Sequence, residues 1–157
     1  MKFMKKSLVI ATLALASAGA MANWNTGVSY SNLDTGDFDL GVITANVGYT
    51  FSDHNSNWSI MPEVRLGTGV DGDRGIDIDQ YLIVAARVDY QATDSVSFFV
   101  QPAYVNIEVD DFDQWDFGVG IGSTFEVNNN WSVELMYENF NDFDDADVVS
   151  FGARYHF

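Results

Sequence analysis

Val148-Val-Ser-Phe-Gly-Ala-Arg-Tyr-His-Phe157 alternates in character residue by residue and stops on a phenylalanine. Successive side chains of a strand point to opposite faces, so residues two apart share a side. Phe157, Tyr155, Ala153, Phe151 and Val149 then fall on one face. His156, Arg154, Gly152 and Ser150 fall on the other. One face is apolar and aromatic; the other is small or charged.

The same alternation recurs upstream in segments of about ten residues, separated by Asp, Asn, Ser and Gly. This is the pattern of a transmembrane barrel, in which lipid-facing and lumen-facing residues alternate. Strands are expected over 24–33, 38–51, 58–70, 76–91, 96–109, 115–127, 131–138 and 148–157. The sixth is the cleanest, with Trp115, Phe117, Val119, Ile121 and Phe125 against Asp116, Gly118, Gly120, Gly122, Thr124 and Glu126. Parity is less clean at two places. Phe38, Leu40 and Val42 oppose the set that starts at Ile43, which predicts a bulge near Val42. The far end of the fifth strand loses its alternation at Val105 and Ile107.

Eight strands is an even number, as single-chain bacterial barrels have. Side chains nearly fill an interior of that size. The inward glycines of the sixth strand make room for larger neighbours. Closure removes the edges along which an open sheet with an apolar face would aggregate. The expected fold is all-β, an eight-stranded antiparallel up-and-down transmembrane barrel preceded by a cleavable signal peptide.

Residues 1–22 carry that signal. Lys2, Lys5 and Lys6 form its charged start, Leu8 to Ala16 its apolar core, and Ala20-Met21-Ala22 a small-x-small cleavage site. The apolar run is too short to cross about 30 Å of hydrocarbon. No cysteine follows, which excludes a lipoprotein anchor. The barrel domain is expected over 23–157. Cleavage removes every lysine and leaves Arg65, Arg74, Arg87 and Arg154 against 23 carboxylates. Such a surface repels nucleic acid, which is held through basic groups.

If both termini face the periplasm, that rim carries one outward aromatic per strand: Trp24, Phe51, Trp58, Tyr90, Phe98, Phe125, Trp131 and Phe157. Amphipathic rings favour the membrane interface, so this set reads as a girdle. Tyr30, Tyr104, Trp115, Phe117 and Tyr137 are candidates for the opposite rim. Most carboxylates collect in segments 34–39, 71–79, 108–116 and 142–147, the expected loops of that rim.

The remaining charges point inward: Glu63, Asp89, Glu126, Glu134 and Glu138, with Arg65, Arg87 and Arg154. Buried charges require partners, so these residues are expected to form an ion-pair network that plugs the lumen. Arg154 is placed beside Glu134, and Arg87 near Glu63 and Arg65. The functional alternative is a narrow ion path through rearranged pairs. Asp71, Asp73, Asp77 and Asp79 are weak candidates for a divalent cation, since carboxylates suit hard cations. Gly75 occupies the third ligand position of an EF-hand, and no closing Glu follows. The alternative there is a solvated anionic crown. His54 and His156 lack a serine–acid arrangement at a lipid-facing site, so no catalytic set and no cofactor are expected.

The terminal Phe157, with Phe151 and Tyr155 before it, resembles the closing strand of bacterial outer-membrane barrels. In that family this stretch is the signal read by the barrel-assembly machinery. The signal peptide, strand count, girdle and terminal Phe157 together resemble the small OmpA/OmpX-type barrels of the porin family. The resemblance implies a monomeric, multi-pass protein of a Gram-negative outer membrane, with a structural or surface-interaction role. Its implied partners are outer-membrane lipid, lipopolysaccharide and the assembly machinery, with divalent cations as candidates at the loops. The alternatives are a narrow porin-like channel and, in another class, a secreted lipocalin-like barrel with its apolar face inward. Lipid A deacylases of similar size carry a His–Ser–acid set on the outer wall, which this sequence lacks.

Overall fold

The computed structural model describes residues 23–37, 39–72, 78–109, 112–141 and 146–157. The expected signal peptide, Phe38, Asp73 and Asp77 lie outside them. Nine strands form one antiparallel sheet: β1 (Trp24–Asp34), β2 (Asp39–Tyr49), β3 (Phe51–Ser52), β4 (Trp58–Asp71), β5 (Gln80–Gln91), β6 (Val96–Val109), β7 (Phe112–Glu126), β8 (Trp131–Phe140) and β9 (Ala146–His156). The sheet closes on itself. β1 pairs with β9 and β2, β2 pairs with β4, and the others pair in sequence.

β2 and β3 together make one strand of the eight-stranded wall. Gly48 opposes Glu63 and Phe51 opposes Ile60 in one continuous register. The interruption between them falls opposite Pro62, which has no N–H to donate to the ladder. On the other side the Thr50 N–H continues the β1–β2 ladder and donates to the Asn23 carbonyl oxygen at 2.8 Å. Pro102 leaves a second gap. The β5–β6 ladder passes from Ala85↔Ala103 to Val88↔Val100 without pairing the residues between. A closed barrel has no edge to hold a proline, and here each coincides with a local break in the ladder.

Burial follows the strand period. On β4, Met61, Glu63 and Arg65 are buried, whereas Trp58, Ile60 and Val64 are exposed. On β7, Asp116 is buried, whereas Trp115, Phe117, Val119 and Ile121 are exposed. The outside of the wall is apolar and much of the inside is polar, the reverse of a soluble barrel. The interior of β7 is small because its neighbours need the space. A methyl group on Gly120 would lie 2.7 Å from Glu138 Cγ, and one on Gly118 would strike the Phe140 ring.

Several boundaries differ from those read in the sequence. β5 begins at Gln80, not at 76. β7 begins at Phe112, so Asp113, expected in a loop, lies on a strand. The β2–β4 register does shift between Gly41 and Val42. Leu40 and Val42 keep the inward parity of Thr44 and Asn46, and all four are buried. Val105 and Ile107 continue the inward row of Gln101 and Ala103. With Leu33, Tyr81, Ile83, Phe140 and Val148 they form an apolar cluster in the half of the lumen away from the termini.

Candidate functional site

The half of the lumen nearer the termini is charged. Arg65 on β4 donates through both terminal nitrogens to Glu138 on β8, at 2.9 and 2.8 Å. That bidentate geometry is the strongest form of the pair. Its Nε lies 3.1 Å from Glu63 Oε1. Arg154 on β9 reaches Glu63 through one terminal nitrogen, Asn25 through the other, and Glu134 Oε1 through Nε at 2.5 Å. Arg87 on β5 donates to Asp89 Oδ1 at 2.8 Å, Glu134 Oε2 at 2.8 Å and Thr124 Oγ1 at 2.6 Å. Its guanidinium carbon also stands 3.7 Å from the centroid of the Phe99 ring, a cation–π contact.

The pairs run continuously from Asp89 through Arg87, Glu134, Arg154, Glu63 and Arg65 to Glu138. β4, β5, β8 and β9 each supply a link, so the chain crosses the lumen. Glu63, Arg65, Arg87, Glu138 and Arg154 are at most 4% exposed. At that burial a charge left without its partner is costly, and each of these has at least one.

Arg154 meets Glu134, as placed from the sequence. Arg87 does not sit with Glu63 and Arg65; its partners are Asp89 and Glu134. Glu126 does not join the chain. It is the last residue of β7, exposed at the mouth of the barrel. Asn25, Phe99 and Thr124 were not singled out in the sequence. Their signal was inward parity alone, which does not say which inward residues face one another across the barrel.

Below the charges, the mouth opens into a vestibule of about 250 Å³ lined in part by Ser97, Asp89, Glu126, Arg154 and His156. His156 Nε2 lies 2.9 Å from Ser132 Oγ. Ser132 is 1% exposed and inside the wall, so this pair is not on a lipid-facing site.

Around the same rim, Trp24, Phe51, Trp58, Tyr90, Phe98, Phe125 and Trp131 are exposed on the outer wall, and Phe157 is half-buried. Ring pairs tie several of these together: Trp58 with Tyr90 at 4.8 Å, and Tyr155 with both Trp131 and Phe157 at 5.1 and 5.0 Å. Tyr49 bridges Trp24 and Phe51 at 5.3 and 4.7 Å. Phe151 points outward from the middle of β9 and is exposed. At the opposite end Tyr30, Tyr104, Trp115, Phe117 and Tyr137 are exposed. Of the candidate cation ligands, Asp71 and Asp79 are described and Asp73 and Asp77 are not. Among the described residues no group of His, Cys, Asp or Glu could hold a metal ion.

A closed sheet with an apolar exterior and a charged interior defines a membrane-spanning β-barrel. The chain belongs to the outer membrane protein beta-barrel domain family, whose model matches residues 8–157. No curated protein matches it. Among solved structures it is similar to a de novo designed transmembrane β-barrel, at 14% identity and TM-score 0.66, over 88% of this chain and 98% of that one. It is also similar to the N-terminal barrel domain of Pseudomonas aeruginosa OprF, at 10% identity and TM-score 0.63, covering 85% and 97%. The outer membrane enzyme PagL aligns at 12% identity and TM-score 0.61, covering 85% and 99%. At these identities the likeness shows the fold. The family places the protein in the outer membrane of a Gram-negative bacterium.

Proposed function

We propose that this protein is an outer-membrane barrel with a closed lumen, acting in a structural or surface-interaction role. The observation that carries the reading is the stacking of two unlike layers inside the wall. The chain of ion pairs spans one half, and the apolar cluster fills the other. An ion crossing the barrel would have to separate buried pairs and then shed its water against Ile83, Val105 and Phe140. Both steps are costly.

The vestibule favours a second reading, a narrow channel entered from the periplasm. Single-channel recording of refolded protein in a planar bilayer separates the two, with an Arg154→Ala variant alongside. The closed reading predicts silence from both, because the apolar layer survives the substitution. Discrete steps that change in the variant would overturn it.

The family and the outer wall support the rest of the reading. Residues 1–22 serve as a signal removed on export, and 23–157 remain as the barrel. The rim aromatics sit at the membrane interface. Phe151, Tyr155 and Phe157 present the assembly signal to the barrel-assembly machinery. The aspartate-rich ends face outward, toward lipopolysaccharide and divalent cations. The barrel acts as a monomer without a cofactor. The exposed apolar wall disfavours the secreted lipocalin-like alternative. We also read the protein as non-enzymatic, because the Ser132 hydroxyl is sealed inside the wall where a lipid ester could not reach it.

A further inference from the structure

A groove of about 290 Å³ lies on the outer wall where β5 and β6 meet. Trp58, Val88, Tyr90, Phe98 and Val100 line it, and all five are exposed. Two cross-strand pairs frame it, Tyr90 opposite Phe98 at the rim and Val88 opposite Val100 in the row above. Trp58 flanks one side, its ring 4.8 Å from that of Tyr90. The next outward residues on the two strands are Ala86 and Pro102, exposed and compact, where the ladder is interrupted. The groove therefore has aromatic flanks at the rim and low relief toward the middle of the wall.

Directly below it, Ala92 to Ser95 join β5 to β6 in a tight turn, with the Ala92 and Thr93 N–H groups donating to the Val96 carbonyl oxygen. Asp94 stands in that turn, exposed, and none of the described residues bonds or pairs with it. The arginines among the described residues, Arg65, Arg87 and Arg154, are 3–4% exposed and lie inside the barrel. The rim under the groove thus offers a carboxylate and neither lysine nor arginine.

We infer that the groove holds one phospholipid from the leaflet on the side of the termini, with a headgroup that carries a primary ammonium. Such a site rests on the membrane-spanning reading of the wall and is independent of whether the lumen is closed. An acyl chain fills a lipid-facing furrow by van der Waals contact, since lipid tails are as apolar as the furrow itself. The chain gives occupancy but no choice between lipids; the headgroup gives the choice. Its ammonium can meet the Asp94 carboxylate and the face of Trp58 or Tyr90, a cation–π contact. An anionic glycerol headgroup finds no cation in this turn and meets the Asp94 charge instead, which selects against it.

Native mass spectrometry of the refolded barrel tests this, in micelles doped with equal amounts of phosphatidylethanolamine and phosphatidylglycerol of matched chains. One phosphatidylethanolamine should stay bound, in excess of phosphatidylglycerol by about fivefold, the upper scale of one exposed charge contact. Asp94→Asn should bring the two lipids near parity, and Val88→Phe should fill the furrow and remove both. The wall already carries exposed phenylalanines at Phe98, Phe117 and Phe151, so Val88→Phe should fold, as circular dichroism would check. Absence of any retained lipid, equal retention of both by the wild type, or a preference unchanged by Asp94→Asn would overturn the assignment. So would an adduct that survives Val88→Phe. A dimer that Val88→Phe disperses would put a second copy of the chain on the groove and overturn it too. None of these outcomes bears on the closed lumen, which conductance tests separately.

Discussion

In the half of the lumen beside the termini, seven charged side chains satisfy one another across the barrel. In the half beneath the loops, Leu33, Tyr81, Ile83, Val105 and Phe140 pack into an apolar cluster, with the buried Asp116 opposite Val105. Both halves solve the same problem, an interior that must be filled, and they fail differently when damaged. The charged half is specified by partners: removing one member strands another. The apolar half is specified by volume, and its losses scale with the space left behind. The charged half also opens on a vestibule of about 250 Å³, and under the proposed closed lumen the apolar half keeps water out.

The largest effect should come from the charged half. Arg65→Met strands Glu138 and should cost about 3–5 kcal/mol, while replacing both partners with apolar residues should recover most of it. Urea unfolding in lipid vesicles, followed by tryptophan fluorescence, measures each corner of that cycle. Equal losses in the single and double variants would erase the distinction between the halves. A smaller cost is expected beside Arg87, in the same charged half. Gly122→Ala places a methyl against the Leu135 carbonyl oxygen and the Phe99 ring, overpacking worth about 1–3 kcal/mol in the same assay. In the apolar half, Ile83→Val should cost only about 0.5–1.5 kcal/mol, with no partner left behind. Smallest of all, Glu126→Gln should change stability by less than about 0.5 kcal/mol, as for exposed sites generally. A loss as large as that of Arg65→Met would return Glu126 to the ion-pair chain.

The outer wall was legible because lipid demands apolar residues at every second position, and the pattern survives on each strand. The ring at the rim was legible for the same reason. Alternation failed where the lumen itself turns apolar. Leu40, Val42, Val105 and Ile107 sat on the inward parity throughout, yet apolar residues on both faces leave no contrast to read. Pairing across the lumen was hidden as well. Parity places Arg87 inside, but only closure, tilt and side-chain reach set it against Glu134 and not Glu63. The break at Thr50 was within reach of the sequence, because Pro62 stands on the neighbouring strand and cannot donate to it.

In a closed lumen, water reaches the charged half and stops at the apolar one. The chain contains no cysteine, so single cysteines along the inward row of β6 form a clean ladder: Ser97→Cys at the mouth, Gln101→Cys among the charges and Val105→Cys in the apolar layer. A membrane-impermeant thiol reagent applied to barrels in vesicles should label Ser97→Cys readily, Gln101→Cys slowly, and Val105→Cys from neither side. Rapid labelling of Val105→Cys from either side would show a water-filled path through the apolar layer and contradict the closed lumen.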